Sequence, residues 1–94
     1  MKPSVTDIRF TEAGRHDQRD GLLGYVSFLL EGSVRVDGVA VRMTRDGRRT
    51  LSFPAKRTAR GVEHPFVRPI STASREAIEA QVFAAIDLRA ESRP

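Results

Sequence analysis

Leu22-Leu-Gly-Tyr-Val-Ser-Phe-Leu-Leu-Glu31 runs through Gly32-Ser33 into Val34-Arg-Val-Asp-Gly-Val-Ala-Val-Arg-Met-Thr44. In the first segment Leu22, Gly24, Val26, Phe28 and Leu30 share one face at strand period, and Leu23, Tyr25, Ser27 and Leu29 share the other. Both faces are apolar, so this strand is expected to be covered on both sides. A helix would take one side, and a second copy of the chain is the economical cover for the other. Glu31-Gly32-Ser33 is a tight turn. Beyond it the alternation slips, with Val34 and Val36 in one phase and Val39, Val41 and Met43 in the other. One extra residue at Asp37-Gly38, a β-bulge, restores a single apolar face. A hairpin turn at the same dipeptide is the alternative, and it would leave two very short strands.

Outward from this pair, Arg45-Asp46-Gly47 marks a hairpin. A two-residue turn would pair Val41 with Ser52 and Met43 with Thr50, mixing the faces. A three-residue loop with Gly47 in the left-handed region pairs Val39 with Phe53 and Val41 with Leu51, which keeps one apolar face. The opposite face then carries Arg42, Thr44, Arg48, Thr50 and Ser52, so the hairpin is amphipathic with a basic polar side. Pro54 has no N–H to donate and ends the strand. Upstream, residues 4–11 alternate with Thr6, Ile8 and Phe10 on one face. Residues 12–21 are polar and read as a mobile loop. Downstream, residues 55–61 read as a polar loop. Val62 to Ile70 reads as a short edge strand interrupted by Pro65 and Pro69. Ser71-Thr72-Ala73-Ser74 offers helix N-caps. From Arg75 to about Ala90 the spacing of Ile78, Val82, Ala85 and Ile86, with Phe83 alongside, predicts a helix. Arg75, Glu76 and Glu79 fall on or near its solvent side. The tail from Glu91 is expected to fray. The outline is an α+β domain: an antiparallel sheet of four to five strands with one C-terminal helix, spanning 1–94 with a core over about 4–90.

The 94 residues fit one domain. A chain so short buries only about 60–65% of its unfolded surface, so association with a second copy is expected to add stability. There is no Cys, hence no disulfide and no thiolate chemistry. No apolar run, Phe28-Leu29-Leu30 included, approaches the length of a membrane span. Met1-Lys2-Pro3-Ser4 lacks the apolar core of a signal peptide, and a cytoplasmic location is expected. His16 and His64 show no ligand spacing, so no metal or other cofactor is expected. Ser71, Ser74, His64 and Glu63 are near in sequence, but no nucleophile signature surrounds them. No phosphate-cradling glycine motif is present either, and no enzyme activity is expected.

Charge is the informative quantity. Between Arg42 and Arg60 stand seven basic residues and one acid, Asp46, whereas the whole chain carries +4. A basic segment on a near-neutral body favours polyanions, above all nucleic acid. The competing explanation is a solvated arginine-rich face, with Lys56 or Arg57 paired to a core or interface carboxylate that fixes the loop. Few aromatic residues are available, so base stacking would be limited.

Phe53-Pro54-Ala55-Lys56-Arg57-Thr58 followed by Gly61 resembles the P-S-K-R-T-x-x-G motif of the SpoVG (stage V sporulation protein G, septation protein) family. Thr6-Asp7-Ile8-Arg9 resembles that family's T-D-V-R. Arg68-Pro69-Ile70 stands where it has H-P-I, and Arg75 matches its helix start. The order covers roughly residues 5–88. The resemblance implies a small cytoplasmic bacterial homodimer that binds DNA, and also RNA. Its implied roles are gene regulation, cell division at the septum and sporulation. Lys56, Arg57 and Thr58 carry over as the matched loop and Arg75 as the matched helix start. Ala55 replaces a Ser, Arg68 replaces a His, and the first loop is longer.

The expected function is therefore nucleic-acid binding. Phosphate contacts are expected from Arg42, Arg48 and Arg49 on the hairpin and from Lys56, Arg57, Thr58 and Arg60 on the loop. Arg75 at the helix N-terminus would join them. The alternative is a non-enzymatic interaction module whose basic patch binds an acidic protein.

Overall fold

The computed structural model describes residues 2–91, so the fraying expected of 92–94 lies outside the described residues. Strands β1 (Val5–Glu12), β2 (Leu22–Leu30), β3 (Val34–Met43) and β4 (Arg49–Ser52) form an antiparallel sheet in that order. Two short strands, β5 (Ala55–Arg57) and β6 (Glu63–Pro65), form a separate ribbon. Helix α2 (Thr72–Glu91) lies across one face of the sheet, which makes the fold α+β. Ile78 and Val82 of α2 pack against Val5, Val26, Phe28, Val36, Val39, Val41 and Leu51. Phe83 and Ile86 are half-buried beside them. The helix starts earlier than expected because Ser71 caps it. The Ser71 hydroxyl accepts from the Ser74 N–H at 3.1 Å, and the Ser71 carbonyl accepts from the Arg75 N–H at 3.0 Å.

Register follows the phase of the apolar residues, with three bulges. The β2–β3 pairing steps from Val26↔Val39 to Phe28↔Val36, so β3 carries one extra residue at Asp37-Gly38. Gly38 holds φ +71°, as the bulge reading requires, and no turn splits the strand. The hairpin after β3 has the expected three-residue loop: Val41 pairs with Leu51, and Gly47 is at φ +86°. The other two bulges correct the sequence reading. In β1 the register shifts between Thr6 and Arg9, with Asp7 at φ +46°. Val5 is therefore buried in line with Ile8 and Phe10, and Thr6 is exposed. In β2 the register shifts between Leu22 and Gly24. Leu22 stands opposite Arg42 on the outer face, and Leu23 packs against the core, the reverse of the simple alternation. Gly24 is required where it is: a Cβ there would come within 2.3 Å of the Thr11 carbonyl oxygen and 2.7 Å of the Phe10 ring.

Two further segments differ from expectation. The polar loop contains a short helix, α1 (Arg15–Arg19). The expected last edge strand does not join the sheet. Only Glu63–Pro65 is extended, and it pairs with Ala55–Arg57. Pro54 and Pro65 explain the break, since neither can donate to a continuous ladder.

The helix also reaches both edges of the sheet. On β4 the Glu79 carboxylate accepts from the Leu51 N–H at 3.0 Å and from the Thr50 hydroxyl at 3.3 Å. Arg75 donates to the Leu51 carbonyl at 2.9 Å and lies 3.4 Å from Glu79. On β1 the Gln81 side chain accepts from the Val5 N–H at 3.0 Å and donates to the Pro3 carbonyl at 2.7 Å.

Candidate nucleic-acid interface

The eight residues expected to meet phosphate divide into three structural groups. Arg42 and Arg48 stand exposed on the polar side of the β3–β4 hairpin, and Lys56, Arg57 and Arg60 stand exposed on the ribbon. Alternation along β3 and β4 turns Arg42 away from the core. The Ala55–Arg57 pairing holds the ribbon cations extended, with Lys56 opposite His64 and Arg57 opposite Glu63. Arg42, Lys56 and Arg60 form no ion pair among the described residues. Arg48 lies 3.5 Å from Asp46 and Arg57 lies 3.6 Å from Glu63, both with widely exposed partners. Such contacts are worth little and yield readily to a polyanion. Glu63 is thus an exposed partner for Arg57 across the ribbon, not the core carboxylate of the competing explanation.

Thr58 forms the second group alone. Its N–H donates to the Val62 carbonyl at 2.9 Å, its carbonyl accepts from Gly61 at 2.9 Å, and its hydroxyl accepts from the Val62 N–H at 3.2 Å. It closes the ribbon turn and thereby presents Lys56, Arg57 and Arg60.

Arg49 and Arg75 form the third group, on the helix side of the sheet. Arg49 pairs with Met43 across the hairpin, so it projects toward α2. It makes a two-pronged ion pair with Asp87 at 2.7 and 2.9 Å and lies 4.6 Å over the Phe83 ring. The hydrogen bonds from Arg49 hold the Asp87 carboxyl below the ordinary carboxylate range, and Asp87 in turn raises the Arg49 guanidinium. Arg75 is committed to Leu51 and Glu79 and lies 5.8 Å over Phe53. Both arginines tie helix to sheet.

Sequence reasoning missed the cations of the outer face. Arg35 pairs with Asp7 and donates to the Asp7 carbonyl at 3.2 Å and the Ser27 hydroxyl at 3.4 Å. Arg9 pairs with the same carboxylate at 3.0 Å. Hydrogen bonds from Arg35 first, and then from Arg9, lower the pKa of Asp7. The signal was available in the alternation of β3, which puts Arg35 on the face opposite Val36. On the outer face of β2, for which a second copy was the expected cover, Tyr25 is 49% exposed in the single chain.

No helix among the described residues is long and apolar enough to cross a membrane. No protein-family model matches the chain, and no curated protein matches it in sequence. The likeness to the SpoVG family stands on the motif residues quoted above.

Proposed function

We propose that the chain is a non-enzymatic, cytoplasmic nucleic-acid-binding regulator of the SpoVG kind, acting as a homodimer. The observation that carries this reading is the set of five exposed cations, Arg42, Arg48, Lys56, Arg57 and Arg60, borne on two hairpin-like projections. Cations held for structure are tied to carboxylates, as Arg49 and Arg75 are, whereas these are unpaired or loosely paired. Two extended projections with basic side chains suit contacts to successive phosphates, which give affinity with modest sequence preference. The dimer is supported by the ribbon. Its segment leaves Val62 52%, Phe66 73% and Ile70 91% exposed. A two-stranded ribbon is marginal on its own in water, and a second copy is a natural cover for that apolar surface.

Fluorescence anisotropy with labelled duplex DNA and single-stranded RNA at about 50 and 200 mM salt tests the reading. Five phosphate contacts give a slope of log K against log salt of about −4 to −5 on duplex DNA. Lys56→Ala/Arg57→Ala is expected to reduce that slope by about 2 while leaving the fold intact by circular dichroism. If the folded wild type binds neither nucleic acid at low salt, the proposal fails, and the basic surface is a contact for an acidic protein.

A further inference from the structure

The open face of the sheet, opposite α2, is built around one aromatic ring. Tyr25 pairs with Thr11 on β1 and with Ala40 on β3, and Ala40 pairs with Ser52 on β4. Tyr25 is thus the only large side chain in a row of small ones. Arg9 lies two residues before Thr11 and Arg42 two residues after Ala40, on the same face. Both are diagonal neighbours of Tyr25 across adjacent strands, a relation that brings Cβ atoms to about 7–8 Å. The row of Arg42 holds Leu22 and Thr50, whose hydroxyl is bound to Glu79, and the row at Arg9 adds Ser27, over which Arg35 lies. Arg42 has no ion-pair partner among the described residues, and Arg9 and Arg35 share the single carboxylate of Asp7.

Resting on the nucleic-acid reading above, we propose that this face binds single-stranded nucleic acid, with one unpaired base stacked on Tyr25 and the flanking phosphates held by Arg42 and Arg9. Duplex DNA keeps its bases stacked inside and cannot use the ring, so Tyr25 confers a preference for single strands. Charge selects this occupant over a second copy of the chain. Two such faces packed together would set Arg9, Arg35 and Arg42 of each copy against those of the other, with only Asp7 and Asp37 to offset them, and like charges across an interface are costly. The two most exposed large apolar residues, Phe66 and Ile70, lie outside this sheet.

The chain has one Tyr and no Trp, so its tyrosine fluorescence reports on Tyr25 alone. Titration with a mixed-sequence single-stranded 20-mer is expected to quench that fluorescence, and titration with the matching duplex is expected not to. Tyr25→Thr, which keeps a strand-forming residue, is expected to weaken single-strand binding roughly ten-fold and leave duplex binding unchanged. Tyr25→Phe is expected to retain wild-type affinity, since stacking needs only the ring. Single-strand binding without quenching, and undiminished in Tyr25→Thr but lost in Lys56→Ala/Arg57→Ala, would overturn the sheet-face site while leaving the regulator reading in place. Absence of binding to either nucleic acid would overturn both. A shift of Tyr25→Thr from dimer to monomer in sedimentation would overturn the site in favour of a self-association face.

Discussion

Arg75 and Glu79, one turn apart on α2, between them satisfy both backbone groups of Leu51, and they stand to β4 as a neighbouring strand would. Glu79 is mostly buried, its side chain only 17% exposed, so removing it leaves the Leu51 N–H and the Thr50 hydroxyl without their acceptor. Glu79→Ala is expected to cost about 1–3 kcal/mol in urea unfolding. Arg75→Met is expected to lose stability as well, yet to leave the salt slope of nucleic-acid binding unchanged. A reduced slope would return Arg75 to the interface. This role was not legible in the sequence. Helical spacing placed both residues near solvent, and their partner is a backbone amide 24–28 positions away. The five exposed cations were legible because strand alternation and a polar loop suffice to put a side chain in water. Arg49 was expected to meet phosphate from the hairpin, yet the register that pairs Val41 with Leu51 also pairs Arg49 with Met43 and turns it toward the helix.

At the scale of elements, legibility depended on whether an irregularity left a mark. The Asp37-Gly38 bulge did, because a break in apolar phase coincided with a residue free to take positive φ. The bulges at Asp7 and Leu23 did not. Thr6, Ile8 and Phe10 alternate cleanly across the first, and two adjacent leucines conceal the second. The ribbon was anticipated as a loop followed by an edge strand; their pairing with each other was not, because three-residue strands carry too little periodicity to announce a partner. As the element with the most exposed apolar surface, the ribbon segment is where a second copy is proposed to dock. Sedimentation is expected to show a wild-type dimer and a monomeric Phe66→Asp variant of unchanged secondary structure. A variant that stays dimeric would remove the ribbon from the contact.

For the molecule as a whole, acid is the solution variable with a defined sign. Asp7, Asp46 and Asp87 all have folded-state pKa values below the ordinary carboxylate value, owing first to hydrogen bonds from Arg35, Thr44 and Arg49 respectively. A lowered carboxylate contributes stability that is fully present above its unfolded value and is lost as pH falls through the folded one. The melting temperature is therefore expected to hold steady above about pH 5 and to fall below about pH 4. Asp87→Asn, which removes one titrating partner, is expected to flatten that acid limb. An unchanged limb would show that the Arg49–Asp87 pair is not held in solution.

The reach of α2 to both sheet edges has a consequence for how this protein fails. Gln81 occupies a donor and an acceptor at the start of β1, and Arg75 and Glu79 do the same on β4, so an extended segment from another chain meets no vacant ladder at either place. One helix thus guards two templates for aggregation. Its loss uncovers the apolar face and both margins in a single event, so the route from partial unfolding to irreversible precipitate runs through α2.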